Sequence, residues 1–370
     1  TTAEVERASG IRRLALAAVL PAVVAVGGYQ HSDNAPPPNL WSVIGNASWT
    51  VDARSIYDVG TAGRAIDASR LTLAERKREL VAATVDTILA TLTAERIASD
   101  YRVALRASLD RWELAKSRLA NSHGSKLDVD RAGKDVEAVR GLLVLGDEAV
   151  HQAREALGQL VGSSVPLAPV KDLDVDGFVQ SVSTTCRTNG AIEQRADVRL
   201  ARTRLELAER GLTSAELRFG PAIGVSTQVT DLSTVPVGPT SNWTVAATIT
   251  VPLYDGGARY GAIRQARAEA TEARQGLAQA RVVAIVDAAR SDRSIDVAKK
   301  ARFGAGRELD LAVQVDAQVR EDYAAGSGSS LDLVTTGQIL RQAQIGVIAT
   351  ELQIARARAA SALAHAECSF

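Results

Sequence analysis

The sequence predicts a mainly α fold with a small β part, built as two structural repeats, each carrying a pair of strands and a long helical hairpin. Three observations predict it. A pattern of helix, proline and alternating strand recurs after about 200 residues: Pro21 matches Pro221, and Leu127-Asp128-Val129 matches Leu331-Asp332-Leu333. Four segments, near 22–30, 41–53, 222–231 and 242–253, alternate apolar and polar residues with period two. Two long segments, 60–121 and 257–325, contain no proline at all.

Composition sets outer limits. The chain has 370 residues, 46% hydrophobic and 23% charged, which excludes a disordered polymer. Aromatics are only 4% and alanine fills much of the apolar share, so helices are expected to pack closely through small residues. Lys+Arg and Asp+Glu are equal at 43 each, which argues against a nucleic-acid binder that neutralises phosphates. No apolar run reaches the ~18 residues of a spanning helix. The two cysteines, Cys186 and Cys368, supply neither a metal cluster nor a disulfide framework. No methionine is present, so the chain is expected to begin at a processed or truncated end.

The first element covers about residues 3–20. Residues 11–28, IRRLALAAVLPAVVAVGG, mimic a secretory signal. The same helix–proline–strand succession recurs at AELRFGPAIGVSTQV around Pro221, so the segment reads as the start of a repeat. The strands follow. In the first repeat Trp41, Val43, Ala47, Trp49 and Val51 oppose Ser42, Asn46, Ser48, Thr50 and Asp52, with Ile44 breaking the polar face. In the second, Trp243, Val245, Ala247, Ile249 and Val251 oppose Thr244, Ala246, Thr248 and Thr250. Strands of this length cross a bilayer when tilted, or else cover a soluble core.

The long helices come next, the first a rod of roughly 90 Å. Ala266, Ala270, Ala273, Leu277, Ala280 and Ala284 are spaced 4-3-4-3-4, and Val81, Val85, Ile88 and Leu92 repeat 4-3-4, as do Leu105, Leu109 and Trp112. Such seams require partners beyond one hairpin. The domain reading is therefore 1–162 for the first repeat, 163–190 for a linker whose SSVPLAPV and TNG break the helical pattern, and 191–370 for the second repeat. Four strands cannot close a barrel and open edges are not tolerated in lipid, so strands in lipid require several chains. Three chains would give twelve strands and six hairpins.

The residues VPLYDGGARYGAIRQARAE at 251–269, YAAGSGSSLDLV at 323–334 and RADVRLARTRLELAERGL at 195–212 resemble the motifs of the TolC-like outer-membrane efflux family, the outer membrane factors. WTVDARSIYDVGTAGRAIDASR aligns with the first of them in the first repeat. The resemblance covers nearly the whole chain. It implies a trimeric α/β-barrel channel-tunnel. Twelve strands form a barrel in outer-membrane lipid, and a helical tunnel continues it through the periplasm. The implied partners are a homotrimer, a periplasmic adaptor protein and an inner-membrane pump, with no enzymatic activity, cofactor or metal. The chain departs from the family in a short amino terminus and in its hairpin tips. Ser122-His123 and Gly326-Ser327 stand where members place a glycine and a hydrophobic residue for adaptor contact.

The resemblance also suggests roles. Asp332, one turn past the second tip, would recur three times around one axis and attract cations at the tunnel entrance; alternatively it caps the returning helix. Thr335 replaces the family's second aspartate. Tyr323 and Asp128 are candidates for a hydroxyl–carboxylate link that holds the entrance shut, and Gly328 occupies the position of the family's arginine; otherwise Tyr323 packs in its own hairpin. Trp41, Trp49 and Trp243 suit membrane-interface positions, or a buried strand core. His31, His123, His151 and His365 are scattered without ligand spacing. The rival reading is a soluble or periplasmic coiled-coil scaffold or an efflux adaptor; an adaptor would show one hairpin and usually an inner-membrane anchor. No catalytic constellation is present in the sequence.

Overall fold

The computed structural model describes residues 2–33, 39–170, 173–188, 192–235, 238–364 and 366–368. Asn189 and Gly190 of the TNG turn, and His365, lie outside the described residues. In chain order the elements are α1 (Thr2–Ala17), β1 (Ala22–His31), β2 (Asn39–Asp52), α2 (Ala53–Ala120), α3 (Lys126–Val161), α4 (Val175–Thr185), β3 (Cys186–Thr188), α5 (Ala196–Leu217), β4 (Ala222–Val235), β5 (Gly238–Thr250), α6 (Ala258–Ala325), α7 (Ser330–Ala364) and β6 (Ala366–Cys368). The succession helix–strand–strand–long helix–returning helix occurs twice. The chain folds as two units that cut across this repetition: 1–76 with 193–282, and 77–192 with 283–370.

The first unit holds one antiparallel sheet in the order β1-β2-β4-β5. Ala22 to His31 pair with Ser48 to Asn39, Asn39 to Asp52 with Val235 to Ala222, and Ala222 to Thr234 with Thr250 to Gly238. No described strand residue of this sheet is buried, so neither face rests on a core. The expected outward residues are bare: Val245 is 62% exposed, Ile249 74% and Val251 54%. β1 and β5 are edge strands. The helices of this unit are tied by polar contacts: Arg64 Nε lies 3.1 Å from Glu206, and the Arg274 guanidinium 2.9 Å from Glu209.

The two repeats enter their long helices differently. In the second, Pro252 ends the strand pattern, and Gly256 and Gly257 take φ of 71° and 90°, where a side chain is strained. Asp255 then accepts hydrogen bonds from the N–H groups of Gly257 (3.2 Å) and Arg259 (3.1 Å), and Arg259 Nε donates to it at 2.8 Å. The first repeat lacks the proline and the glycine pair. There Asp52 Oδ1 accepts from the Ser55 N–H at 2.6 Å while Ser55 Oγ accepts from the Asp52 N–H at 3.2 Å, and the helix starts at Ala53. The segment Tyr57–Gly60, whose YDVG aligns with the YDGG of the loop at 254–257, is therefore helical.

The second unit packs the hairpin α2–α3 with α7 and α4. A core of Val85, Leu89, Val179, Val182, Leu352, Ala355, Ala359 and Leu363 joins α2, α4 and α7. The linker is thus not a plain break: Val175, Phe178, Val179 and Val182 repeat at helical spacing and bury α4 against this core. The deepest stripe of α2 also differs from the leucine reading. Ala104, Ser108, Arg111 and Ala115 are buried, while Leu105, Leu109 and Trp112 flank them half-buried. Small side chains let the helix axes approach, and the larger ones fill the margins. On α6 the expected Ala266, Ala270, Leu277 and Ala284 are buried, with Ala273 and Ala280 half-buried.

Candidate functional site

The two hairpin tips have one design. After α2 the chain turns through Ser122, whose φ is 61°; after α6 it turns through Gly326, whose φ is 92°. Each returning helix then starts with a reciprocal serine–aspartate cap. The Ser125 N–H donates to Asp128 Oδ2 at 2.9 Å, and Ser125 Oγ accepts from the Asp128 N–H at 3.3 Å. Ser329 Oγ accepts from the Asp332 N–H at 3.1 Å and donates to Asp332 Oδ2 at 2.8 Å. Asp332 is therefore a helix cap in this structure, and it remains exposed. Ser122, His123 and Gly326 are exposed at the tips, as is Ser327, whose N–H donates to the Asp322 carbonyl at 3.0 Å.

Arginines join the tips. Arg118, on the last turn of α2, donates to the His123 carbonyl at 2.9 Å and stacks on the Tyr323 ring, 4.4 Å from its centroid. Arg131 on α3 donates to Ser330 Oγ at 3.2 Å. Tyr323 is 2% exposed, and its hydroxyl has no hydrogen-bond partner among the described residues. The expected Tyr323–Asp128 bond is absent within the chain, because the Asp128 carboxylate is taken up by its own cap and the ring lies under Arg118. The two groups still interact at a distance. Burial, helped by the Asp128 charge, pushes the Tyr323 hydroxyl above its ordinary range against the pull of Arg118, so it stays a protonated donor. Burial also pushes Asp128 up, but hydrogen bonds from Ser330 and Ser125 and the Arg131 charge outweigh it and hold the carboxyl below its usual range.

Behind the tips, buried ion pairs link the hairpins. Arg111 of α2 donates to Asp316 of α6 at 2.8 Å, with side chains 4% and 5% exposed, and Arg320 reaches the same carboxylate at 2.7 Å. Arg341 of α7 donates to Asp135 of α3 at 2.8 Å. Gly337 makes the first pair possible: a Cβ there would sit 2.5 Å from the guanidinium carbon of Arg111.

The tryptophans spread along the sheet. Trp41 and Trp49 lie on one strand and one face, roughly 27 Å apart at about 3.4 Å per residue. The ladder places Trp243 opposite Val229, which pairs with Gly45, midway between them. Trp41 packs on Tyr29 with centroids 4.6 Å apart, and Trp49 Nε1 donates to the Val19 carbonyl at 2.9 Å. None of the three is buried in a core. Among the described residues no cluster of His, Cys, Asp or Glu is arranged to hold a metal ion, and no helix is long and apolar enough to cross a membrane.

Residues 188–365 match the model of the outer membrane efflux protein family. No curated protein matches the chain in sequence. In fold it is similar to the outer membrane protein VceC of Vibrio cholerae, at 18% identity with a TM-score of 0.81 over 99% of this chain and 92% of that one. It is similar as well to the CmeC outer membrane channel of Campylobacter jejuni, at 14% identity with a TM-score of 0.82 over 100% and 83% of the two chains. The open MtrE outer membrane channel of Neisseria gonorrhoeae shares 20% identity and a TM-score of 0.80 over 98% and 84%.

Proposed function

We propose that this protein is the outer-membrane duct of an efflux system, since residues 188–365 match the outer membrane efflux protein family and the chain folds throughout like the outer-membrane channels. It works as a passive conduit, in a tripartite efflux or type I secretion assembly, through which a partner pump drives small molecules or proteins. The observation that carries this reading is the four-stranded sheet. Both of its faces are bare, both of its edges are open, and its apolar side chains stand free. Lipid on one face, water on the other and strands from further copies at both edges satisfy all three features together. A homotrimer supplies twelve strands. Trp41 and Trp49 then sit near the two margins of the apolar band, which is about 25 Å tall in such barrels, and Trp243 lies between them.

The strands lie in the outer membrane, and the helical hairpins line a periplasmic tunnel. Phe303 and Leu311 on α6 and Val144 and Leu145 on α3 are exposed large apolar residues that neighbouring copies would cover. The tips, with Ser122, His123, Gly326 and Ser327, face the adaptor and the inner-membrane pump.

The tip cluster is the gate. Three copies of Asp332 and Asp128 ring the entrance. Tyr323 is held in place by Arg118 rather than by an arginine in the turn. Planar-bilayer recordings of the reconstituted protein test the duct and the ring together. A steady ion conductance is expected, blocked by divalent cations, and Asp332→Ala should weaken that block because three carboxylates leave one constriction. Conductance whose block is unchanged in Asp332→Ala leaves that residue as a cap alone. Absence of any conductance removes the duct.

A further inference from the structure

We propose that Cys186 and Cys368 form an intrachain disulfide that straps the inter-repeat linker to the end of α7. They are the only cysteines in the sequence. β3 and β6 form a separate two-stranded antiparallel ladder in which Cys186 is directly opposite Cys368. Directly opposed residues of such a ladder share a face, with Cα atoms about 4.5 or 5.5 Å apart according to the hydrogen-bonding position. Both separations fall inside the roughly 4.4–6.8 Å that a disulfide spans.

The docking of the linker on α7 brings the two segments together. On the linker side, α4 leads straight into β3 and is already docked on α7. Val179 and Val182 pack with Ala355, Ala359 and Leu363, and Arg358 donates to Asp176 at 2.7 Å. The segment that carries Cys186 is therefore held beside the segment that carries Cys368 before any bond forms.

The inference rests on the outer-membrane reading for its compartment, since the periplasmic side is oxidising. The Sγ–H bonds of both cysteines are broken and one Sγ–Sγ bond forms. Two protons and two electrons pass to the disulfide of a thiol–disulfide oxidoreductase, which becomes a dithiol. The bond closes nearly the whole second half of the chain into one loop, so it restricts the unfolded chain while leaving the docked linker unchanged.

The test uses protein taken from cell envelopes quenched with a thiol-alkylating reagent before lysis. Both cysteines are expected to resist the reagent until a reductant is added. Peptide mass analysis should find one linked peptide pair holding positions 186 and 368, lighter by two hydrogen atoms than the reduced peptides. Cys186→Ser and Cys368→Ser should each leave the other thiol open to the reagent. Two free thiols in a chain that fractionates with the outer membrane, or bonds between copies, overturn the proposal and leave the location intact. A second arm is independent of location. The purified, folded, reduced chain in a glutathione redox mixture should favour the 186–368 bond over the urea-unfolded chain by on the order of tenfold or more. Equal formation in both states shows that the fold does not bring the two residues together and overturns the proposal, whatever the compartment.

Discussion

Asp316→Ala should destabilise the helical unit by about 3–5 kcal/mol, the usual consequence of removing one partner from a buried ion pair. Asp316 answers two arginines, and Arg111 is 4% exposed with no other acidic partner among the described residues. Arg320 is half exposed and can turn to solvent. Arg111 cannot do so without pulling the α2 stripe apart. The double variant Arg111→Leu/Asp316→Leu should recover most of the loss, because an apolar pair of similar volume avoids the desolvation of two charges. Denaturant unfolding followed by the helical circular dichroism signal measures both. A loss of less than about 1 kcal/mol for Asp316→Ala would mean that Arg111 is solvated in the assembly.

Gly337→Ala should cost about 1–3 kcal/mol through the same arginine, the usual range for overpacking a filled site. In an open helix the change would favour folding by about 1 kcal/mol. Here the new methyl would lie 2.5–2.7 Å from three atoms of the Arg111 guanidinium, a separation that real Cβ contacts do not show. The guanidinium is the flexible end of a long side chain, but it is buried and bonded, so it can yield only by leaving Asp316. The two effects separate cleanly. In the Arg111→Leu/Asp316→Leu background the guanidinium is gone, and the remaining loss from Gly337→Ala should fall well below its value in the native chain. Equal effects in both backgrounds would show that Gly337 matters for helix packing and not for Arg111.

The sheet and the long helices were legible in the sequence for physical reasons. Period-two alternation marks a strand with unlike faces, and long proline-free stretches permit unbroken helices. The two tips were legible as a pair because Ser125-x-x-Asp128 and Ser329-x-x-Asp332 use the same local cap, which needs no distant partner. The start of α2 was misplaced because the matched Tyr57–Gly60 lacks what stops the other copy, Pro252 and the Gly256-Gly257 pair. Helix α4 was hidden between proline-containing and turn-forming segments, although Val175, Phe178, Val179 and Val182 carry a helical period. The role of Arg118 and the Arg111–Asp316 and Arg341–Asp135 pairs had no such signal. Their partners lie on other helices, and only the packing brings them together. The family resemblance expects an arginine beside Tyr323 from the turn, where this chain has Gly328; Arg118 of α2 takes that place from the other hairpin.

On the trimer reading, the open sheet of one chain is completed by other copies. The mass of the assembly extracted from outer membranes in mild detergent, read by native mass spectrometry, tests it most directly. A species of three chains with its helical and strand signals intact is expected. A single chain that keeps the same helical and strand signals would contradict it, because the edges at β1 and β5 would then be stable without partners.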